Sequence, residues 1–203
     1  MNGETMFKKL RNVLGREYDP VEYWKNRENP NNQEGESSER VGYDVAYIRN
    51  QIEGCDSILE IGPGVGRTFG AYAGRKVVQT LDITEAYSKK IDKVAGGLGL
   101  EVIGSYLQAT SDVFPYDDKQ FDISVCSQVF LHVDPVSVEH YISEALRVSG
   151  KLVVICGGYK LCGEPPSHVF SHDFWELVEK MNLHMDNVKG RNGIAYFTLT
   201  HWN

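Results

Sequence analysis

The chain has no CxxC pair, no continuous apolar stretch of membrane-spanning length, no internal repeat and no excess of basic residues. Each absence excludes a class of function. The four cysteines, Cys55, Cys126, Cys156 and Cys162, stand apart, and two of them lie in apolar, strand-like runs. They read as buried free thiols of a reducing compartment, not as a disulfide framework. Metal ligation by Cys156, Cys162 and His168 is the minor alternative, and no metal is expected. No apolar run approaches the ~20 residues that a transmembrane helix requires. The opening residues, "MNGETMFKKLRNVLGREYD", lack the apolar core of a signal peptide. A cytoplasmic protein without membrane contact is expected. Acidic residues number 28 against 21 basic ones, for a net charge of −7. Such a chain lacks the broad basic face that draws proteins to nucleic acid.

What is present, 203 residues of which 41% are hydrophobic, suits one domain with a full core and an appended segment. Residues 1–40 read as an N-terminal helical segment and mobile link, a candidate lid. The pieces are a helical stretch at Met6–Leu14, a helix start at Asp19-Pro20 and a polar link over 25–40. Residues 41–203 read as the ligand-binding domain. Helices are expected around Val45–Ile52, Tyr87–Leu98, Val138–Leu146 and Phe174–Met181 from apolar residues at helical spacing. Strands are expected at Ile58–Ile61, Lys76–Ile83, near Ser105–Ala109, Phe121–Ser127 and Leu152–Cys156. The stretches "HMDNVKG" and "AYFTLTHW" form a closing antiparallel hairpin turning at Gly190–Gly193. Strands that alternate with helices predict an α/β fold with a parallel sheet covered on both faces. In such sheets ligands sit beyond the carboxyl ends of the strands, where the strand order reverses.

The carboxyl end of the first strand carries "ILEIGPGVGR", Ile58 to Arg67. Gly62, Gly64 and Gly66 allow a backbone to press against a ligand or to take conformations closed to other residues. The third glycine of the GxGxxG dinucleotide fingerprint is missing, and so is the Gly-Lys-Ser/Thr ending of a phosphate loop. Asp82 closes the next strand, about 20 residues on, where a carboxylate can accept from both hydroxyls of a ribose. Its alternative role is to cap the helix that starts near Glu85.

This combination resembles motif I of the class I S-adenosylmethionine-dependent methyltransferases, E/D-x-G-x-G-x-G, matched by Glu60, Gly62, Gly64 and Gly66. "FDISVCSQVFLHV", "EALRVSGKLVV" and "SHDFWELVEKMNL" resemble later segments of that family, so the resemblance spans roughly residues 40 to 200. It implies a Rossmann-like three-layer α/β/α sandwich with a seven-stranded sheet, parallel except for the last strand. It implies S-adenosyl-L-methionine as cofactor and S-adenosyl-L-homocysteine as product. Glu60, Gly62, Pro63, Gly64 and Gly66 would shape the methionine and ribose pocket. Asp82 and Ile83 would flank the ribose, and Gln128 would border the methyl group. The family's acid after the third strand is absent: the place falls on Thr110, with Ser111 and Asp112 adjacent, and Thr110, Asp112 or backbone groups would contact the adenine.

Methyl transfer from a sulfonium needs alignment and exclusion of water, and a base only where the acceptor arrives protonated. His132, just past the fourth strand, is the best-placed base; its other reading is a loop histidine that orders the backbone. Tyr23 and Trp24, on the candidate lid, and His168 and His172, after the fifth strand, are candidate substrate contacts. Ser171 or Asp173 is placed to cap the next helix, and His140 is expected in solvent. Arg40 reads as a solvated charge, with a cofactor carboxylate as its alternative partner. The Asn/Asp-Pro-Pro-Tyr/Phe motif of base-methylating enzymes is missing after the fourth strand, where the chain reads "CSQVF". A small-molecule O, N or C nucleophile is therefore the expected acceptor. The competing readings are a non-catalytic cofactor-binding or partner protein on the same fold, and a nicotinamide-dependent oxidoreductase. The three retained glycines argue against the first and the loop spacing against the second.

Overall fold

A seven-stranded sheet organises the computed structural model, which describes residues 18–27, 38–75, 77–157 and 168–202. The Met6–Leu14 stretch, Cys162 and residues 164–167 lie outside the described residues. In chain order the elements are α1 (Pro20–Lys25), α2 (Ser38–Gln51), β1 (Ile58–Ile61), β2 (Val77–Asp82), α3 (Ser88–Gly97) and β3 (Glu101–Tyr106). They continue as β4 (Ile123–Ser127), α4 (Val138–Ser149), β5 (Lys151–Gly157), α5 (Phe174–Lys180), β6 (Leu183–Arg191) and β7 (Ile194–His201). The strand order is β3-β2-β1-β4-β5-β7-β6. Only β7 runs against the rest, antiparallel to both β5 and β6. The order reverses between β1 and β4, so a crevice opens at their carboxyl ends. Among the described residues no helix is long and apolar enough to cross a membrane.

The two faces of the sheet carry separate cores, and the strands feed them alternately, as the pleat requires. In β5, Leu152, Val154 and Cys156 pack with α4, while Val153 and Ile155 pack on the face of α2 and α3. Val138, Tyr141, Ile142, Ala145 and Leu146 make the buried stripe of α4, and Gly150 ends it in a left-handed turn. Cys126 and Cys156 are buried free thiols. The anticipated caps hold: Asp19 accepts from the Glu22 amide ahead of Pro20, and Asp173, not Ser171, accepts from the amides of Trp175 and Glu176.

Three boundaries differ from expectation. β3 lies four residues earlier than read from Ser105–Ala109. It is an edge strand with one neighbour, largely exposed, so no apolar run marks it. α2 begins at Ser38, inside the stretch read as link, because its first turn is solvated and its buried face starts only at Asp44. The hairpin turns at Asn192-Gly193, both with positive φ (51° and 76°), the pairing that a two-residue turn favours.

The Phe121-Asp122 pair is a clamp at the amino ends of β1 and β4, away from the crevice. Asp122 Oδ2 accepts from the amides of Asp56 (2.7 Å) and Ser57 (2.8 Å) and from Ser57 Oγ (3.0 Å). Bonds from the Ser57 and Asp56 amides hold its carboxyl below the ordinary range. On the opposite face, Ile142 is fully buried, so Ile142→Ala should cost about 2–5 kcal/mol in urea unfolding, with an unchanged m-value.

Candidate active site

The loop after β1 builds one wall of the crevice. The Gly62 amide donates to Leu81 O (2.8 Å), tying the loop to β2. Gly62 has φ +63°, and a Cβ there would lie 2.3 Å from Val129 Cγ2. Close packing against the loop after β4 therefore requires glycine at this position, independently of any ligand. Gly66 faces the Phe69 ring and is off the cavity wall, whereas Gly62, Pro63 and Gly64 line a cavity of about 650 Å³.

Two carboxylates reach this wall. Glu60 is 1% exposed and accepts from Thr68 Oγ1 (2.6 Å) and from the Tyr72 hydroxyl. Burial pushes it up to about 7, against the pull of the Thr68 bond and of Arg67. Asp82 accepts from the amides of Ile83 (2.7 Å) and Thr84 (3.2 Å), so it caps the turn after β2 rather than a helix at Glu85. Burial pushes it up to about 6. Ile83 lies beside it on the wall.

After β3, only one of three anticipated residues reaches the cavity. Thr110 lines it. Ser111 is exposed and off the wall. Asp112 turns inward to its own loop, where Oδ2 accepts from the amides of Gln108 and Ala109, both at 2.8 Å. Its carbonyl oxygen lies 3.1 Å from His140 Nε2, so His140 is a half-buried tie and not a solvated side chain.

After β4, Gln128 adopts φ +61°, unusual for a residue with a side chain. Its amide donates to Ile155 O (2.7 Å), and its Oε1 accepts from the Gly157 amide (3.2 Å) on β5. His132 follows on a short turn. Its Nδ1 lies 2.9 Å from His168 O. A carbonyl can only accept, so Nδ1 carries the hydrogen and Nε2 of the neutral ring keeps its lone pair. Burial pushes His132 down to about 4, and burial and Arg27 push His168 down as well.

These histidines are covered by α1. Trp24 stands edge-on to His132 at 4.7 Å, His132 stacks on His168 at 5.5 Å, and Tyr23 stacks on the other side of His168 at 4.6 Å. Trp24, Arg27, His132 and His168 line the cavity, and Tyr23 backs them without reaching it. The Tyr87 hydroxyl lies 2.8 Å from the carbonyls of both Trp24 and Arg27, pinning α1 to the start of α3. His172 corrects an expectation. Its Nε2 lies 2.9 Å from the carbonyls of Phe130 and Val133, so it braces the loop after β4 and does not face the cavity.

No motif marks the residues that hold the site together. Arg67 Nη1 donates to Asp44 Oδ2 (2.7 Å) and its Nη2 to Ser127 Oγ (2.8 Å), while the Tyr196 hydroxyl donates to Asp44 Oδ1 (2.8 Å). The one signal in the sequence is Asp44 itself, an acid on the apolar face of α2. Tyr141 belongs to the core stripe by its spacing but also lines the cavity, and Arg40 lies on the wall rather than in solvent.

The comparisons with known proteins agree with this geometry. A family model described as a methyltransferase domain matches residues 59–154. The PH0226 protein from Pyrococcus horikoshii OT3 is similar in structure, with a TM-score of 0.65 at 14% identity over 82% of this chain and 93% of that one. Magnesium protoporphyrin IX methyltransferase from Synechocystis PCC 6803, solved with bound SAM, aligns over 100% of this chain and 98% of its own, with a TM-score of 0.62 and 15% identity. The DhpI–SAH complex gives a TM-score of 0.66 at 14% identity, over 90% of this chain and 96% of that one. Residues 59–154 thus carry a methyltransferase domain, and the likeness to these solved structures shows the methyltransferase fold. That domain marks the chain as an enzyme, a methyltransferase with S-adenosyl-L-methionine as its cofactor.

The Gly62–Val129 contact separates a packing requirement from a ligand requirement. Gly62→Ala should destabilise the free protein by about 1–3 kcal/mol. Val129→Ala in the same chain should restore part of that loss by removing the Cγ2 clash. Thermal unfolding of the two single variants and the double variant checks this, and strict additivity would contradict it.

Proposed function

We propose that the chain transfers a methyl group from S-adenosyl-L-methionine to an oxygen, nitrogen or carbon nucleophile of a small molecule, by in-line displacement. One observation carries the small-molecule reading. The cavity, about 650 Å³, is covered at the acceptor side by Trp24 on α1 and by Arg27 just past its end, a segment pinned through Tyr87. That size falls in the ~300–1,000 Å³ range of small-molecule sites. A covered cavity in an acidic chain suits a compact acceptor better than a nucleic-acid strand. Residues 18–27 act as the lid in this reading.

The residues present fit the cofactor. Asp82 would hold the ribose hydroxyls, with Ile83 against the sugar. The backbone of Gly62, Pro63 and Gly64, with Glu60 behind it, would shape the methionine end. Arg40 would meet the carboxylate, and Gln128 would border the methyl. The sulfonium supplies an activated methyl group, so the protein's work is alignment and exclusion of water. His132 Nε2 is the acceptor available to an incoming hydroxyl or amine. With a ring held at about 4, it orients the nucleophile through its lone pair and stores a proton poorly.

Calorimetry on the full chain should show binding of both S-adenosylmethionine and S-adenosylhomocysteine, and labelled methyl should appear in a metabolite after incubation with an extract. Binding without transfer to any small-molecule pool would favour a non-catalytic or macromolecular role. The titration should also depend on pH. Asp82 in the free protein stands at about 6 and must lose its proton to accept from two ribose hydroxyls. Affinity should therefore rise as pH passes 6 and be about tenfold weaker at pH 5 than at the plateau. Asp82→Ala should abolish most affinity and flatten the profile while the fold survives; unchanged affinity would remove Asp82 from the ribose.

A further inference from the structure

Two hydroxyls on the cavity wall have no hydrogen-bond partner among the described residues. Thr110, after β3, is 9% exposed, and Tyr141, on α4, is 2% exposed; both line the cavity. Each side chain is buried except where it opens on the cavity, so a ligand atom there is the partner within reach of its hydroxyl. Tyr141 is held in direction by edge contacts with Phe114 (5.1 Å) and Phe130 (6.0 Å). It lines the same cavity as Asp82. The segments that carry the two hydroxyls are fastened together. His140 on α4 meets Asp112 O, and the Phe114 amide donates to Glu144 Oε2 (2.8 Å). β3 pairs with β2 and the Leu107 amide donates to Asp82 O (2.8 Å), so the loop that carries Thr110 starts beside Asp82, within reach of a base whose ribose Asp82 would hold. The loop offers the base no carboxylate, because Asp112 is engaged by the amides of Gln108 and Ala109.

We propose that the hydroxyls of Thr110 and Tyr141 read the polar edge of the cofactor's purine, and that this pair admits a 6-oxopurine as readily as a 6-aminopurine. The inference rests on the methyl-donor reading above. A hydroxyl both donates and accepts, by rotation of one hydrogen. Facing adenine, one hydroxyl accepts from the 6-amino group and the other donates to N1. Facing hypoxanthine, the roles exchange: one donates to the 6-oxo group and the other accepts from N1–H. An ionised carboxylate only accepts, so it would reject the 6-oxo base.

The test is calorimetric titration of the full chain with S-adenosylhomocysteine and with S-inosylhomocysteine. The wild-type protein should bind the two within about tenfold of each other, since no hydrogen bond is lost in the exchange. Tyr141→Phe should weaken both ligands by about tenfold. The same change should not lower the Tm of the free protein, because the hydroxyl has no protein partner to lose. Thr110→Asp should open a preference for the adenosine ligand of about a hundredfold or more, because the new carboxylate faces the 6-oxo group. A wild-type preference above about tenfold, or unchanged affinities in Tyr141→Phe, would overturn the inference while leaving the methyl-donor reading intact. Failure of the folded wild-type chain to bind S-adenosylhomocysteine would overturn both.

Discussion

The buried pair of Asp44 and Arg67 is the constraint on which the site depends. Asp44 is fully buried and the Arg67 side chain nearly so, at 2.7 Å from each other. Burying two charges is costly, and the Coulomb attraction offsets the cost only where the remaining polar atoms are also satisfied. Tyr196 completes Asp44, and Ser127 completes a second arm of Arg67. One acid on α2 thereby gathers the loop after β1, the end of β4 and the returning strand β7. Such a pair adds less to stability than an apolar cluster of equal volume, and its effect is on uniqueness. With Arg67 held from several directions, the glycine loop has one arrangement, and the crevice at the strand reversal has one shape.

That shape carries a divided electrostatic character. Glu60 and Asp82 are pushed up to about 7 and about 6 by burial, so charging them in the free protein opposes desolvation. The sign follows: an acid whose folded value exceeds its unfolded one favours the fold at low pH. For Glu60 that contribution fades as pH rises from about 4.5 to about 7. A ligand that brings hydroxyl donors or positive charge against these groups reverses the penalty. The histidines under α1 are held neutral by burial and by Arg27. One part of the wall thus favours a cationic or hydroxyl-rich ligand, and another presents a lone pair among aromatic rings.

Where hydrophobic periodicity is strong, the fold is legible in the sequence. β1 and β4 are buried along their whole length and β5 over its apolar centre, because both of their faces are covered, and α4 carries an unbroken stripe. β3 escapes that pattern because an edge strand with exposed residues leaves no such run. In the site, Glu60, Asp82 and Gly62 follow from a motif at a strand end, and the structure puts all three on one cavity wall. The reason for Gly62 is not legible, since its partner Val129 lies far along the chain. His172 and Asp112 look like ligand contacts by position, yet each is consumed by backbone groups of a loop. Tyr141 shows the converse: a residue in a core stripe whose last atom emerges into the cavity. Hydrophobic pattern assigns a whole side chain to one side, and a tyrosine is apolar along its ring and polar at its tip.

The packing of Gly62 on Val129 joins the two halves of the site. Val129 follows Gln128, whose positive φ turns the chain out of β4, and the Val129 carbonyl accepts from the His132 amide (2.7 Å). His132 in turn bonds the His168 carbonyl and meets Trp24 on α1. The glycine loop, the turn after β4, the histidine pair and the covering helix therefore form one chain of direct contacts. A packed interior transmits displacement instead of absorbing it. A ligand that presses on Gly62 acts on Val129 at van der Waals distance, and through it on the His132 ring. The spacing between the glycine loop and the His132 ring is thus set by the missing side chain of one glycine, and a shift of the glycine loop by even a methyl group's width would move both walls of the crevice together.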